Sequence, residues 1–137
     1  MVSMSALEQL RTLCLALPGV FVDYPFGPDA AVYKIKPRSD NVKMFALIFE
    51  GARDAGGAGP TINLKCDPEL AVQLRTQYEY VRPGYHMSKK HWNSVDCGGS
   101  VDWEFVGDLI EDSYDLVVSG LKRSDQESLG WRRVAQG

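Results

Sequence analysis

The chain has 137 residues, of which 45% are hydrophobic and 24% are charged, and its formal net charge is −3. This length and composition are typical of one globular domain with a sizeable core and exclude a disordered chain. The acidic balance argues against nucleic-acid binding by bulk charge, so any such binding requires a local basic patch.

The three cysteines, Cys14, Cys66 and Cys97, are widely spaced and form no CxxC pair. This pattern favours reduced thiols in a cytoplasmic protein over a disulfide framework or a zinc site. Glu8 and Arg11 interrupt the apolar pattern near the start, which is not typical of a signal peptide. The longest apolar runs are too short to span a bilayer. We therefore expect no membrane partner and no cofactor.

A first helix is predicted after Ser3 or Ser5, either of which can cap its N-terminus. Its apolar face is formed by Leu7, Leu10, Cys14 and Leu17. Residues 25–28 follow as a turn restrained by two prolines. The apolar patterns of residues 31–36 and 43–50 then predict an antiparallel hairpin.

Residues 51–60 are rich in glycine and alanine and predict a flexible loop, and residues 61–65 predict a third strand. Asp67 and Pro68 form a good helix start, with the carboxylate as N-cap and proline at the first helical position. That helix is predicted to reach about residue 78. Its buried side is expected to be lined by Leu70, Leu74 and Tyr78.

Two further strands are predicted at residues 80–87 and 91–97, joined by Ser88, Lys89 and Lys90. Ser100 is expected to cap a last long helix. Its apolar stripe comprises Trp103, Val106, Ile110, Tyr114, Val117 and Leu121. The order of helix, three strands, helix, two strands and helix indicates an α+β fold, with a mostly antiparallel sheet and helices on one face.

Four stretches resemble the MmcQ/YjbR family of small bacterial proteins. In chain order they read LPGVFVDYPFGPDAAVYKI, TINLKCDPELAVQLRTQY, VRPGYHMSKKHWNSV and DLIEDSYDLVVSGL. The resemblance runs over residues 7–121. It implies a compact two-layer domain of frataxin-like or secretion-chaperone-like shape at residues 1–121, followed by a polar tail at 122–137. Family members are commonly labelled DNA-binding through two hairpin wings, so the resemblance implies DNA as a partner.

Residues 80–95 contain no acid and concentrate bases, histidines and aromatic rings. Lysines at a hairpin tip can neutralise phosphates, and an exposed Trp92 can stack on a base. The candidate nucleic-acid or ligand-binding residues are Lys65, Arg82, His86, Lys89, Lys90, His91, Trp92 and Asn93. The structural alternative is that the lysines solubilise a hairpin tip and Trp92 belongs to the core.

A second interpretation is a binding module for a small anionic or planar ligand, or for a protein partner. Its aromatic pocket would be formed by Tyr24, Phe26, Asn63 and Tyr85. A third combines Cys66, near a helix N-terminus, with His86 and His91. No flanking catalytic signature supports it and the histidine spacing matches no metal pattern, so we predict no catalytic or metal-binding residue.

Residues 102–115 contain six acids and no base. The usual explanation is a solvated helix face. Alternatively, this helix meets a basic partner or the basic hairpin of a second copy, so both a monomer and a homodimer remain open.

Overall fold

The computed structural model describes residues 4–51 and 59–131. Within these ranges the elements are α1 (Ala6–Leu15), β1 (Val20–Asp23), β2 (Ala30–Ile35), β3 (Lys43–Phe49), β4 (Thr61–Lys65), α2 (Pro68–Gln77), β5 (Val81–Pro83), β6 (Trp92–Asp96), α3 (Trp103–Ser119) and α4 (Arg123–Ser128). The predictions for Ser3, for residues 52–58 of the glycine-rich loop and for residues 132–137 of the tail lie outside the described residues.

The six strands form one sheet in the order β1-β2-β3-β4-β6-β5, and every neighbouring pair is antiparallel. The predicted α+β class with an antiparallel sheet is therefore confirmed. The first four strands follow one another along the sheet, whereas α2 connects β4 to the edge strand β5. As a result β6 lies between β4 and β5.

The main core lies between one face of the sheet and the helices. Tyr33, Phe45 and Ile62 point from the strands into this core, where they meet Ile110 and Tyr114 from α3. The rings of Phe45 and Tyr114 pack edge to face at 5.6 Å between centroids. The helices therefore cover one face of the sheet, as predicted.

Local capping signals fix the beginnings of α1 and α2. The Ser5 hydroxyl accepts from the Glu8 backbone N–H, and the Glu8 carboxylate accepts from the Ser5 N–H, both at 3.1 Å. Asp67 caps α2 through the backbone N–H groups of Glu69 and Leu70. These two starts agree with the sequence pattern, whose caps act within three residues.

Two details of the helices differ from the prediction. Asp102, not Ser100, caps α3, because its carboxylate accepts from the backbone of Glu104 and Phe105. The buried side of α2 contains Ala71 and Leu74, whereas Leu70 is 39% exposed. The apolar pattern assigned Leu70 to the buried side together with Leu74. In the structure the small side chain of Ala71 takes that place against the sheet.

β1 was not predicted as a strand. It is a four-residue edge strand whose residues alternate between half-buried and exposed, and it pairs with β2 from Val20 opposite Ile35 to Asp23 opposite Val32. A segment this short gives little periodicity of its own. Its strand geometry comes from the hydrogen bonds offered by β2.

The region predicted as a polar tail begins with α4. Gln126 is buried, and its amide donates to the carbonyl groups of Val118 and Leu121 at 3.0 and 3.1 Å. Leu129 at the end of α4 is also buried in the main core. The described part of this segment is therefore packed against the rest of the domain through both polar and apolar side chains.

The two strands predicted around the basic window are shorter than expected, because residues 84–91 leave the ladder. We call residues 84–91 the basic loop. Its Tyr85 and Met87 pack on a second, smaller cluster formed by Val32, Leu47 and Phe49 on the sheet face away from the helices. The loop thus folds back over the sheet instead of continuing as a long hairpin.

Candidate nucleic-acid interface

The basic loop is anchored to the sheet through the backbone of Tyr85. The Asn63 amide donates to the Tyr85 carbonyl at 2.8 Å, and the Ser94 hydroxyl accepts from the Tyr85 N–H at 2.9 Å. Ser94 also donates to Asn63 Oδ1 at 2.5 Å, and both anchoring side chains are buried. The Tyr85 ring packs edge to face on Phe49 with centroids 5.2 Å apart.

The four residues of the predicted aromatic pocket have separate roles. Asn63 is fully buried and serves as an anchor for the Tyr85 backbone. The Tyr24 hydroxyl donates to Glu50 at 3.1 Å, and Phe26 is 75% exposed in the loop after β1. Of the four residues, the structure therefore joins Asn63 to Tyr85, whereas the Tyr24 hydroxyl is bound to Glu50 and Phe26 is exposed.

Arg75 on α2 holds the other end of the basic loop. Its Nε donates to Asn93 Oδ1 at 2.7 Å, and its Nη2 donates to the carbonyl of Lys89 and, at 3.4 Å, to that of Trp92. The Asn93 amide also donates to the Ala71 carbonyl at 3.4 Å. Asn93 is thus buried and positions the loop, and its polar atoms are used inside the protein.

Sequence reasoning missed Arg75, because no local signal connects a base on α2 to a loop at least 14 residues away. A guanidinium group is suited to this role, since its planar fork donates to several acceptors at once. The contacts of Arg75 depend on the tertiary structure, which brings α2 beside the start of β6.

Gly84 permits the loop to leave β5 close to Trp92. The Gly84 N–H donates to the Trp92 carbonyl at 2.9 Å, and a Cβ atom at position 84 would lie 2.8 Å from the Trp92 Cβ. The Lys89 ammonium donates to the Gly84 carbonyl at 3.0 Å. His86 follows with a φ of 60°, in the left-handed region that few residues other than glycine adopt.

Trp92 is half-buried and pairs across the sheet with Lys65. His86, Lys89, Lys90 and His91 are exposed, and Arg82 is half-buried. Of the predicted binding residues, Asn93 is therefore buried. The other seven are exposed or half-buried.

The register of the sheet separates bases from acids along the strand direction. Ile35 pairs with Lys43, and Lys65 pairs with Trp92, so the ends of β2 and β4 meet the starts of β3 and β6. The last residues of the basic loop, from Lys89 to His91, lie at this same end, which we call the basic end, because the His91 carbonyl accepts from the Cys66 N–H. It carries Lys36, Lys43, Lys65, Lys89, Lys90 and His91.

The opposite end of the sheet carries Asp23, Asp29, Glu50 and Asp96. Two of these acids form ion pairs there, Glu50 with Arg11 at 2.9 Å and Asp23 with Lys34 at 3.0 Å. At the basic end Lys36 pairs with Asp40 at 2.7 Å.

Four ammonium groups at the basic end have no direct counter-charge. Within residues 4–51 and 59–131, no carboxylate lies within 4 Å of the ammonium groups of Lys43, Lys65, Lys89 or Lys90. Among the acids at this end, Asp67 is engaged in capping α2. Within the described residues, none of these four ammonium groups is therefore neutralised by a direct ion pair.

The cysteine at this end lacks the features of an activated nucleophile. The Cys66 N–H donates to the His91 carbonyl at 2.8 Å, so the two residues are neighbours. However, burial raises the pKa of the Cys66 thiol, and the charges of Asp67 and Asp112 raise it further. Burial also raises the pKa of Cys14 and of Cys97, each to about 12. These thiols are protonated at neutral pH.

All three cysteines are free, and no cluster of three metal-ligating side chains occurs in the part of the chain that the structure describes. Over the same residues, no helix has the length and apolar character needed to cross a membrane.

A family model described as YjbR matches residues 15–116. Among similar proteins, YbdF of Escherichia coli O157:H7 is 40% identical over 120 residues, covering 88% of this chain and 90% of that protein. YjbR of Escherichia coli K12 is 28% identical over 123 residues, covering 90% of this chain and 96% of that protein.

Solved structures agree with the sequence matches. The crystal structure of Deinococcus radiodurans protein DR2400, which carries a DUF419 domain, superposes with a TM-score of 0.76 at 33% identity, covering 90% of this chain and 86% of that chain. A crystal structure from Pseudomonas syringae gives a TM-score of 0.59 at 36% identity, covering 71% of this chain and 86% of that one.

Proposed function

The chain belongs to the YjbR family, and we propose that it makes weak, largely sequence-tolerant contacts with nucleic acid through the basic end of its sheet. The observation that carries the proposal is that β3, β4 and the basic loop contribute to one end of the sheet four lysines that form no ion pair within the described residues. As parts of the same proposal, the protein is a cytoplasmic binding protein and not an enzyme.

The physical basis is the release of counterions from the phosphate backbone. A chain with an overall charge of −3 is repelled by nucleic acid at long range, so only a local patch can produce contact. Neutralising about four phosphates gives a salt slope of about −3.6 on duplex DNA, which makes the binding weak at physiological salt. Few polar groups at the basic end are free to read base edges, because Asn93 and Asn63 are buried and hydrogen-bonded.

The half-buried Trp92 and the exposed His86 add a second mode of contact. Accessible ring edges beside lysines can contact unstacked bases, and such contacts do not depend on sequence. The basic loop is fixed at both ends, by Asn63 and by Arg75, so its ordering costs little at the moment of binding.

The test is fluorescence anisotropy with labelled duplex and single-stranded DNA across a range of salt concentrations. Removing Lys89 and Lys90 by double substitution to alanine is expected to weaken binding and make the salt slope shallower by about 2. Lys90→Gln alone is a second variant, because Lys90 makes no hydrogen bond in the described part of the chain and its replacement leaves the loop anchored.

The matched control is the double variant Arg11→Ala, Lys34→Ala. It removes the same two charges from residues that form ion pairs with Glu50 and Asp23. It is expected to leave the salt slope of the wild type unchanged. Equal slopes for the wild type and the Lys89, Lys90 variant, or equal losses in that variant and the control, contradict the proposal.

A further inference from the structure

A groove of about 380 Å³ runs between α2 and α3, on the helix-covered side of the sheet. Its apolar walls are formed by Leu64, Leu70, Leu74, Val95, Leu109 and Leu116. Leu70 and Leu116 stand at the surface, 39% and 37% exposed. Leaving two leucines exposed on facing helices is unfavourable by the hydrophobic effect, and the volume is in the range of small-molecule sites.

The charged side chains at this groove are mostly acidic. Asp67, Asp112 and Asp115 line it together with a single base, Lys65. Asp115 accepts from the Trp131 indole N–H at 2.9 Å, and Asp67 caps α2. Each of these two carboxylates therefore has a partner within the protein.

Asp112 is different, because in the described ranges it forms neither a hydrogen bond nor an ion pair. Burial raises the pKa of the Asp112 carboxyl, and the neighbouring charges of Asp115 and Asp108 raise it further. Asp112 is exposed at the groove, and its charged form is stabilised by any positive group brought within a few ångströms.

We propose that the groove binds a small hydrophobic cation, an amine with an aromatic or branched aliphatic body. The body lies between Leu70 and Leu116, and the ammonium group meets Asp112. Burial of the apolar body provides most of the binding free energy, and the negative charge of Asp112 selects a cation over a neutral or anionic ligand. An anion is disfavoured by three carboxylates against one lysine.

This site shares Lys65 with the proposed nucleic-acid contact, but Asp112 and Leu116, on which its test depends, are not part of that contact. The cation would enter between α2 and α3, whereas phosphates would meet the basic loop, whose Tyr85 and Met87 pack on the other face of the sheet. The two proposals can therefore fail separately.

The test compares three probes that share an indole body: tryptamine is cationic, tryptophol is neutral and indolepropionate is anionic. Binding is followed by two-dimensional proton–nitrogen NMR at the indole N–H of Trp131, which lines the groove. Tryptamine is expected to bind about 5-fold or more tightly than tryptophol, and indolepropionate the least tightly.

The Asp112→Asn variant keeps the shape of the side chain and is expected to abolish the preference for tryptamine over tryptophol. The matched control is Glu111→Gln, which removes one charge from the adjacent exposed residue outside the groove. It is expected to keep the preference. Leu116→Trp fills the mouth of the groove and is expected to weaken all three probes.

Four outcomes overturn the proposal. The first is the absence of any shift at Trp131, and the second is equal binding of the three probes. The third is an equal loss of preference in Asp112→Asn and Glu111→Gln, which reports only net charge. Arg132 and Arg133 follow Trp131 in the sequence. If their joint replacement by glutamine greatly strengthens tryptamine binding, the chain's own arginines occupy the site, and the proposal of an external amine is overturned.

Discussion

Arg75 connects α2 to the basic loop, and its replacement by alanine tests whether this connection stabilises the fold. The substitution removes the donor to Asn93 Oδ1, an atom of a residue that is only 3% exposed. Leaving a buried amide oxygen without a donor costs about 1–3 kcal/mol. The carbonyl groups of Lys89 and Trp92 lose a donor as well, but water can replace it at the exposed loop, so each adds about 0.5 kcal/mol.

The free energy of unfolding of Arg75→Ala is therefore expected to fall by about 2–4 kcal/mol. Urea unfolding followed by circular dichroism measures this as a midpoint lowered by about 1–2 M with an unchanged slope. Arg75→Lys retains the charge but cannot reach three acceptors at once, so its stability should lie between those of alanine and wild type.

The matched control is Arg123→Ala. Its side chain is 90% exposed and forms a surface ion pair with Glu127 at 3.2 Å. We expect this substitution to change stability by less than about 0.5 kcal/mol. If Arg75→Ala costs no more than Arg123→Ala, the connection does not stabilise the fold. If Arg75→Lys is as stable as wild type, Arg75 acts only through its charge. Either result contradicts our account of the loop.

Three other predictions follow from single contacts. Gly84→Ala places a Cβ atom 2.8 Å from the Trp92 Cβ and should lower the free energy of unfolding by about 1–3 kcal/mol. Gly99→Ala has open space around it and should lower the free energy of unfolding much less. Thermal melts of both variants measure the difference. The raised pKa of Cys66 predicts that its thiol reacts with a disulfide reagent more slowly than a free cysteine at neutral pH and gains rate as the pH rises; a faster reaction would refute the account. The pKa of Asp112 is raised in the folded state, so its ionisation opposes folding as pH increases. Asp112→Asn should therefore be more stable than wild type at neutral pH, and the difference should disappear near pH ~3. A constant difference in stability across the pH range would contradict this.

Features that depend on neighbours in sequence could be predicted from the sequence. Ser5 and Asp67 cap their helices through backbone groups no more than three residues away. The strands β2, β3 and β4 were predicted from their apolar content and from the turn formers between them. Such signals are local, so they require no knowledge of the rest of the fold.

Features that depend on distant contacts were missed. β1 exists as a strand because β2 lies beside it, and α4 is held by the buried amide of Gln126. We expected Asn63 to face a ligand. Its amide instead donates to the carbonyl of Tyr85, 22 residues away in the sequence, and so anchors the basic loop. Polar composition alone does not show whether an amide faces water or a backbone group.

The family, the α+β class and the acid-free window rich in bases can be recognised from the sequence. What surrounds that window depends on the fold, because strand register, set by side-chain packing across the sheet, determines which distant residues share an end. The register places Lys43 and Lys65 at one end of the sheet, and the packing of the helices brings Leu70 and Leu116 to one groove. Both candidate sites combine residues far apart in the chain, and a linear pattern contains no information about their distance in space.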